Sequence, residues 1–431
     1  MSAATLFSTF HDNLKVSNVA DISTKYCNIT ARLNLDFWEM TSDTAHSLQI
    51  GSYGRRTAID GISDLDMVFE LPPENLERYQ KLTGNGPSAM LQEVRASLLK
   101  RYPTSDVVAD GQIVGVNFSG YRVEVLPAFK DADGDYIHGD TNNGGSWKTT
   151  MPRPEIKAVN DLDTTTNGNL KIACKMLRAW KNRMGVGIGG LLIDTLAYNF
   201  FNQTEDFDEA TYKDYPELCV ALFSYLANLE SQEYWKAPGS NQRVRCKANF
   251  QSKAKKAAVR CQKALDEASE EKRAKYWRQV FGRQFPKADE AILAKAAASS
   301  GYKDPEQYIE DQVPIDVRNT LVLECDELDG KTWINQLRTR LRKKQKVPFG
   351  RRLRFFIAGH DIAGDFEVRW KVRNRPIEPK DAHKLRGEIE LDKEGTKEKI
   401  ETADFSGDHY VEAYAIQNGV CIARERIRVP I

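Results

Sequence analysis

The stretch GSYGRRTAIDGISDLDMVFELP, residues 51–72, constrains the fold of this chain more than any other. It places Gly51-Ser52 before two aspartates, Asp64 and Asp66, that begin an apolar run. Side chains alternate between the two faces of a strand, so aspartates two residues apart point to the same side. Two carboxylates that lie this close repel each other unless a cation neutralises them. The sequence therefore predicts a strand that bears a metal site.

A third carboxylate follows in a predicted hairpin. Residues 111–129, GQIVGVNFSGYRVEVLPAF, form two alternating runs joined by Ser119-Gly120, which is typical of a hairpin with a two-residue turn. Glu124 lies in the middle of the second run. Magnesium prefers oxygen ligands and usually keeps positions for substrate phosphates. We therefore predict that Glu124 joins the two aspartates in binding two Mg²⁺ ions, with Mn²⁺ able to substitute.

The GSYG motif adds groups that suit a triphosphate. Its glycines leave the backbone N–H groups accessible, and Ser52 contributes a hydroxyl; a helix opening here would add a positive dipole end. An isolated Asp-x-Asp more often belongs to a turn or a helix cap. The order of glycine-serine, spacer, Asp-x-Asp strand and a later single carboxylate is, however, what a nucleotidyl-transfer site requires. We therefore predict nucleotide binding at Gly51 and Ser52 and catalysis at Asp64, Asp66 and Glu124.

The composition indicates a folded globular protein. The 431 residues include 62 basic and 61 acidic side chains, and 41% are hydrophobic. At roughly 150 residues per domain, this length predicts two or three cores. No segment approaches the ~20 apolar residues of a membrane-spanning helix, the N-terminus lacks the pattern of a secretory signal, and no two cysteines form a Cys-x-x-Cys pair. We expect a soluble, cytoplasmic protein without a membrane partner.

The hydrophobic pattern changes along the chain. The first part, to about residue 285, mixes strands with helical stretches at 168–201 and 250–281, which indicates an α+β fold. From about residue 318 short alternating runs predominate, and one of them places Val368, Trp370 and Val372 on a single face. This pattern predicts a small all-β sandwich with Trp370 in its core.

These motifs resemble the nucleotidyltransferase superfamily of DNA polymerase β type, in the branch that holds the oligoadenylate synthases, cyclic GMP-AMP synthase and the bacterial CD-NTases. VEVLPAF resembles the strand of the third acid, although this branch most often has aspartate where the chain has Glu124. LKIACKMLRAWKN is similar to the helix whose basic residues contact the triphosphate, which implies nucleotide binding by Lys175 and Arg178. The C-terminal strands resemble the sensor domain of some bacterial CD-NTases.

The resemblance implies a fold and an activity. The fold would be a bilobed polymerase β-like core with a helical second lobe, followed by the sandwich. The enzyme would join nucleoside triphosphates, ATP first and GTP as a second candidate, into a cyclic di- or trinucleotide that activates a separate effector in anti-phage defence. Two alternatives stay open: a non-catalytic nucleotide sensor that uses the same cleft or the sandwich, and a nucleotidyltransferase with a linear product.

Domain boundaries follow from the same observations. We predict a catalytic lobe, a helical substrate-binding lobe, a linker and a C-terminal sensor domain, with the respective ranges 1–160, 161–300, 301–319 and 320–431. The basic run at 337–356 is a weak candidate for nucleic-acid binding, because charge runs are usually solvated surfaces and the net charge is only +1. Nucleic acid is therefore not a required partner.

Overall fold

The computed structural model describes residues 3–61, 64–287, 307, 309, 312–313, 319–330, 332–374, 386–392, 395–417 and 419–431. Its helices are α1 (Ala3–Asn13), α2 (Val19–Phe37), α3 (Gly51–Gly54), α4 (Glu74–Gln80), α5 (Gly86–Arg101), α6 (Pro152–Thr165), α7 (Asn169–Met184), α8 (Gly190–Phe201), α9 (Tyr215–Asn228), α10 (Gln251–Asp266), α11 (Glu270–Phe281) and α12 (Leu337–Arg342).

The strands of the first part are β1 (Ser47–Gln49), β2 (Asp64–Glu70), β3 (Val107–Asp110), β4 (Ile113–Phe118), β5 (Tyr121–Lys130), β6 (Tyr136–Asp140), β7 (Ser146–Thr150), β8 (Tyr234–Lys236) and β9 (Arg243–Arg245). The strands of the C-terminal part are β10 (Leu321–Asp329), β11 (Thr332–Gln336), β12 (Arg352–His360), β13 (Glu367–Arg373), β14 (Ile389–Leu391), β15 (Glu398–Thr402), β16 (Asp408–Gln417) and β17 (Val420–Pro430).

A seven-stranded mixed sheet forms the first part of the chain. Five strands follow the order β1-β2-β5-β4-β3, and β6 and β7 extend from β5. The pair β2 and β5 is parallel, whereas the other pairs are antiparallel. A parallel pair needs a long crossover connection, which α4, α5, β3 and β4 supply here. The predicted strand near 64–71 and the predicted hairpin with its turn at Ser119-Gly120 are confirmed.

The two faces of this sheet have different environments. Leu65, Met67 and Phe69 of β2 are buried in a core that includes α2 and α5. The alternate residues face the other way, where Asp64 and Asp66 are half-buried. Alternation of side chains along the strand produces this division. The apolar residues thus fix β2 against the helices and leave its two aspartates on the opposite face.

Helices dominate the middle of the chain, as predicted for 168–201 and 250–281. The helix α8 is largely apolar, and its central residues Leu192–Ala197 are all buried, including Asp194. A helix that is apolar on most sides is one that other elements surround. None of the helices in the described ranges is long and apolar enough to cross a membrane.

The C-terminal part is a sandwich of two four-stranded sheets, with orders β11-β10-β12-β15 and β14-β13-β16-β17. Apolar side chains from both sheets, among them Leu323, Phe355, Trp370 and Val411, pack in one core. Trp370 is only 2% exposed. The predicted all-β sandwich and the predicted core position of Trp370 are therefore confirmed.

The outer face of the sheet β14-β13-β16-β17 carries buried charges. Glu412 lies opposite Lys371 on β13 and opposite Arg426 on β17. Its Oε1 accepts hydrogen bonds from Arg426 Nη2 at 2.7 Å and from Arg424 Nη2 at 3.0 Å. Burial raises the pKa of Glu412, but the charges of Arg426, Arg424 and Lys371 outweigh burial and hold that pKa well below its usual value. A buried carboxylate is tolerated here because cations surround it.

The described chain divides into two compact units. One contains Ser2–Ala179 and Gly189–Gln262, and the other contains Trp180–Ile188 and Lys263–Ile431. The helix α7 is continuous, so its last turn belongs to the unit of the sandwich. The predicted four-part division stays a prediction, and most of the predicted linker at 301–319 lies outside the described residues.

The end of α7 packs within the second unit. Arg424 Nη1 donates a hydrogen bond to the Asn182 carbonyl at 3.2 Å. Gly185, at φ +64°, approaches the same strand so closely that a Cβ on it would lie 2.5 Å from the Arg424 carbonyl oxygen. A side chain at Gly185 would therefore both strain the backbone and displace β17.

Candidate active site

The parallel pairing of β2 with β5 brings the predicted acidic residues together. Asp66 lies opposite Glu124 in the register, and Asp64 lies opposite Arg122. Neighbouring strands are about 4.8 Å apart, so these four residues occupy adjacent positions on the sheet face that points away from the helical core. The three acids are half-buried. The structure thus places Asp64, Asp66 and Glu124 in one patch.

The GSYG motif lies against the second aspartate. The Ile50 N–H donates to the Asp66 carbonyl at 2.9 Å, and α3 starts at the next residue. Gly51 has φ +62°, and a Cβ on it would lie 1.9 Å from Asp66 Oδ2. Only glycine adopts this conformation readily and leaves room for the carboxylate. Gly51 therefore lets the backbone of the motif contact the site directly.

Arg122 is a member of the site that sequence reasoning missed. Its Nη1 lies 3.6 Å from Glu124 Oε1, and its side chain extends over Gly115, where a Cβ would lie 2.0 Å from Arg122 Nε. The alternation in YRVEV could have revealed it, because residues 122 and 124 share a face of β5. Glu124 is thus paired with an arginine of its own strand, β5.

The residues fit a divalent metal ion in their chemistry and in their register on the sheet. Carboxylate oxygens are the ligands that magnesium prefers, and the register sets three carboxylates side by side. In the described part of the chain, however, no three acidic, histidine or cysteine side chains converge closely enough to hold an ion. Binding one ion through all three carboxylates would therefore require their side chains to move closer together.

A buried charge network, also missed from the sequence, supports the residues after GSYG. Arg55 Nε and Thr57 Oγ1 donate to Asp194 Oδ2 at 2.8 and 3.0 Å. Arg178 Nη1 and Nη2 donate to the two oxygens of the same carboxylate at 2.5 and 2.9 Å. Arg55 Nη1 also lies 3.7 Å from Glu155 Oε2. Because Asp194 is fully buried, this network ties α6, α7 and α8 to the residue that follows α3.

The network gives Arg178 a structural role. Its side chain is 8% exposed and forms a bidentate pair with Asp194, the arrangement that guanidinium groups adopt with carboxylates. The predicted contact of Arg178 with a nucleotide stays a prediction. An aspartate inside the apolar helix IGGLLIDTLAYNFF was a signal for a buried ion pair, since a buried charge needs a partner.

Lys175 lies one turn before Arg178, in a cationic environment. Burial lowers the pKa of Lys175, and the charge of Lys15 lowers it further. Burial and the charge of Lys175 likewise lower the pKa of His11. Like charges that gather at a half-buried position are stabilised by an anion. This environment suits the phosphate contact predicted for Lys175, which stays a prediction.

Ser52 is the second residue of α3, whose N-cap is Ile50. Its carbonyl accepts hydrogen bonds from Thr57 N at 2.8 Å and Ala58 N at 3.1 Å. The fold of the turn therefore depends on the main chain of Ser52, and its hydroxyl does not serve as the N-cap of the helix. The hydroxyl is half-buried on the same motif as Gly51.

The basic run at 337–356 is partly neutralised. Arg338 pairs with Glu324 at 2.5 Å and Arg354 pairs with Asp326 at 2.7 Å, and Arg340 forms an ion pair with Glu327. These three acids come from β10. Three of the nine basic residues of this run are thus paired with acids of β10.

The sheet and its acidic patch define a class of protein. A mixed sheet that carries Asp-x-Asp on one strand and a carboxylate on the parallel neighbour, beside a glycine-serine turn, is the arrangement of polymerase β-type nucleotidyltransferases. Residues 1–163 match the Second Messenger Oligonucleotide or Dinucleotide Synthetase (SMODS) domain, and residues 303–431 match the Adenylyl/Guanylyl and SMODS C-terminal sensor domain. These matches support a bacterial CD-NTase, and the chain is homologous to cyclic oligonucleotide synthases.

Individual relatives are distant. A cyclic AMP-AMP-AMP synthase of an Acinetobacter species is 22% identical over 269 residues, which cover 60% of this chain and 78% of that protein. The structure of E. coli CdnC with ATP has 16% identity and a TM-score of 0.49, and covers 66% of this chain and 98% of its own. Apo DncV of Vibrio cholerae has 15% identity and a TM-score of 0.47, over 56% and 69% of the two chains.

These findings settle several sequence predictions. The family, the α+β fold with its C-terminal sandwich, and the nucleotidyltransferase class are confirmed. The family generally uses divalent metal ions for catalysis. The roles of individual residues, the number and kind of ions and the identity of the substrates remain predictions.

Proposed function

We propose that this protein joins nucleoside triphosphates into a cyclic di- or trinucleotide with release of pyrophosphate. The position of Asp66 opposite Glu124, with Asp64 two residues before it on the same face, is the observation that carries the proposal. The match to the SMODS domain supports it from the sequence side. The product would act as a second messenger for a separate effector in anti-phage defence, in the cytoplasm.

The acidic patch suits two Mg²⁺ ions, with Mn²⁺ able to substitute, held by Asp64, Asp66 and Glu124. When bound, such ions lower the pKa of an attacking hydroxyl and stabilise the charge on the phosphates. The position of Asp66 against Gly51 brings the start of GSYG, with the N–H groups of Gly51 and Ser52, to the same place. These groups and the Ser52 hydroxyl would bind the phosphates.

Other residues of this unit would position the nucleotide. In addition to burial, Lys15 lowers the pKa of Lys175 by more than Asp163 raises it, so a phosphate beside Lys175 would favour the charged lysine. Arg178 would act as a positioning residue through Asp194, which also binds Arg55 just after GSYG. A direct contact between Arg178 and the nucleotide, which the resemblance implies, is the alternative role of this residue.

ATP is the first substrate to test, and GTP is the second. The Acinetobacter relative is named a cyclic AMP-AMP-AMP synthase, so a product that contains adenosine is favoured. The purified protein should be incubated with each labelled triphosphate, alone and in pairs, in the presence of Mg²⁺. A product that resists phosphatase is cyclic, whereas a sensitive product is linear, and mass spectrometry then gives its size. No product under any combination would refute the synthase proposal.

Replacement of Ser52 by alanine is expected to raise KM for the triphosphate severalfold, with a smaller fall in kcat. The hydroxyl would position phosphate in both the bound and reacting states, while the main-chain hydrogen bonds of Ser52 are unaffected. Steady-state kinetics with ATP measures both constants. Ser146→Ala on the exposed strand β7 is the control. An unchanged KM combined with a lower melting temperature would assign Ser52 to stability alone.

Replacement of Gly51 by alanine is expected to reduce synthesis at least about tenfold, because the new Cβ would displace the Asp66 carboxylate. The matched control is Gly111→Ala. Gly111 has φ +59°, close to the +62° of Gly51, but the nearest neighbouring atom, Asn142 Nδ2, would lie 3.8 Å from a Cβ. Both variants should lose about 1–2 kcal/mol from the left-handed backbone. Equal activity in the two variants would contradict the proposed contact.

A non-catalytic nucleotide sensor is the second candidate, and the ion pair of Glu124 with Arg122 favours it. In that case Glu124 would stabilise β5 through its pair with Arg122, and the cleft would bind nucleotide without turnover. The two candidates differ in one experiment. Nucleotide binding that persists without any product, with either Mg²⁺ or Mn²⁺, supports the sensor.

A further inference from the structure

A long basic segment of the chain follows the helix α9. Between Tyr234 and Leu265 the sequence has nine lysines and arginines and no aspartate or glutamate. The segment forms the hairpin of β8 and β9 and most of the helix α10. A run of this length creates a positive field, because no carboxylate within it offsets the charge. The segment therefore favours an anionic partner.

The hairpin sorts its residues between two faces. Trp235 and Val244 pair across the strands and are only 8% and 9% exposed, and both strands contact α8. Side chains alternate along a strand, so the residues on either side of this buried pair share the outer face. These exposed residues, which we call the hairpin face, are Tyr234, Lys236, Arg243 and Arg245.

The hairpin face combines three cations with one aromatic ring. Arg243 Cζ lies 5.6 Å from the centre of the Tyr234 ring, and Tyr234 is 40% exposed. In the part of the chain that the structure describes, none of the three cations forms an ion pair, not even with Glu233, the nearest acid in the sequence. Like charges on adjacent positions of a hairpin are stabilised by an anion.

The turn of the hairpin is fixed to the rest of its unit. Ser240 Oγ donates to Glu155 Oε1 on α6 at 3.0 Å, and Gln242 Nε2 donates to the Thr149 carbonyl on β7 at 2.9 Å. The buried side chain of Trp235 anchors the inner face. A surface that is held in place presents its charges to a partner at little entropic cost.

The combination of charge and ring selects among anionic partners. A nucleic-acid strand carries one phosphate per nucleotide, and its unpaired bases stack on exposed aromatic rings. Further exposed cations follow the hairpin at Lys247, Lys255 and Lys256, so the basic segment exceeds what a single nucleotide needs. A duplex keeps its bases paired and away from Tyr234, and an acidic peptide matches the charge without using the ring.

We propose that the hairpin face binds a single-stranded nucleic acid, with the three cations on phosphates and Tyr234 stacked on a base. This surface differs from the basic run at 337–356, where three arginines already pair with acids of β10. It uses none of the residues of the acidic patch. The binding therefore does not depend on the proposed synthase function.

The test is fluorescence anisotropy of the full-length protein with a labelled oligothymidylate of about 12 nucleotides, a usual site size, in EDTA. Arg243→Gln combined with Arg245→Gln should bind at least about tenfold more weakly. The slope of log affinity against log salt should also fall by about 1.4, since each phosphate contact of a single strand contributes about 0.7.

The matched control is Arg101→Gln combined with Lys130→Gln. Both residues are exposed cations of the same unit, and Arg101 Cζ lies 5.4 Å from the Tyr102 ring, much as Arg243 lies over Tyr234. The control removes the same charge, so a purely electrostatic effect of net charge would weaken both variants equally. We expect the control to bind within about twofold of the unaltered protein, with an unchanged salt slope.

A second pair of variants tests the ring. Tyr234→Ala should weaken binding at least about fivefold, because a base loses its stacking partner, and it should leave the salt slope unchanged. Tyr234→Phe retains the ring and should bind within about twofold of the unaltered protein. Since the side chain lies on the outer face, both variants should keep the melting temperature. Equal binding by the two would overturn the stacking of a base on this residue.

Other outcomes would overturn the proposal as a whole. These are no binding of the oligonucleotide, equal binding by the arginine variant and its control, and a duplex that binds as tightly as the single strand. Polyglutamate that competes as strongly as unlabelled oligonucleotide would assign the surface to an acidic protein instead. Binding that disappears in an Asp64→Asn, Asp66→Asn variant would place the strand in the acidic patch. The titration needs no turnover, so its result is separate from that of the synthase assay.

Discussion

Replacement of Asp64 and Asp66 together by asparagine is expected to abolish product formation, by more than about a hundredfold, while the fold persists. Both residues lie on the face of β2 opposite its core, so neither contributes to the packing of Leu65 and Met67. The variant removes two metal-binding carboxylates and also relieves their mutual repulsion. Pyrophosphate release and product mass with Mg²⁺ measure the loss.

The control for this variant is Glu70→Gln on the same strand and the same face. Glu70 Oε1 accepts a hydrogen bond from the Tyr136 hydroxyl at 2.6 Å, away from the acidic patch, and glutamine retains an acceptor oxygen. We expect normal synthesis from this control and similar melting temperatures for both variants. Synthesis at the unaltered rate in the double variant would end the proposal that these aspartates bind catalytic metal ions.

Replacement of Asp194 by asparagine is expected to lower the free energy of unfolding by about 3–5 kcal/mol, the usual cost of breaking a buried ion pair. The change leaves the guanidinium groups of Arg55 and Arg178 buried without their shared carboxylate, while Glu155 stays 3.7 Å from Arg55. Urea denaturation measures the loss. Activity should fall as well, because Arg55 and Thr57 follow GSYG directly.

An exposed ion pair provides the comparison. Asp12 pairs with Lys15 at 2.6 Å, and both side chains are 60% exposed. Exposed pairs contribute little to stability, so Asp12→Asn should leave the free energy of unfolding nearly unchanged. If Asp194→Asn costs no more than this control, the buried network does not stabilise the unit.

The same carboxylate predicts a pH dependence. Burial raises the pKa of Asp194, but the charges and hydrogen bonds of Arg178 and Arg55 outweigh burial and lower that pKa from 3.8 to about 2. A folded-state pKa below the unfolded value stabilises the protein above pH 3.8, and this stability is lost as the pH falls towards 2. This shift contributes about 2 kcal/mol to the free energy of unfolding. Acid denaturation of Asp194→Asn should lack this contribution.

Much of the candidate site could be predicted because strand alternation is local. The spacing of Asp64 and Asp66, and the position of Glu124 in a hairpin, follow from neighbouring residues alone. The parallel register that sets Asp66 beside Glu124 does not, because α4, α5, β3 and β4 separate the two strands in the sequence. The sequence therefore indicated the three carboxylates of the acidic patch, and the resemblance indicated that they lie together in the fold.

Buried charges were harder to predict. The resemblance assigned Arg178 to phosphate, and only the fold reveals its pairing with Asp194. In the sandwich, the apolar face with Trp370 was predicted correctly, but the burial of the charged residues on the other side of β13 was not predicted. Lys371 is in fact 1% exposed. A charged side chain in an alternating strand does not report whether another part of the chain covers it.

The packing of Asn182 and Gly185 against Arg424 limits how such proteins could exchange C-terminal modules during evolution. A sandwich moved alone into another synthase would meet a foreign residue where Gly185 now allows close approach, and a Cβ there would lie 2.5 Å from main-chain oxygen. A successful graft would need to carry the α7 terminus and the loop to Ile188 along with the sandwich. Recombination breakpoints near residue 180 should therefore yield viable hybrids more often than breakpoints near residue 320.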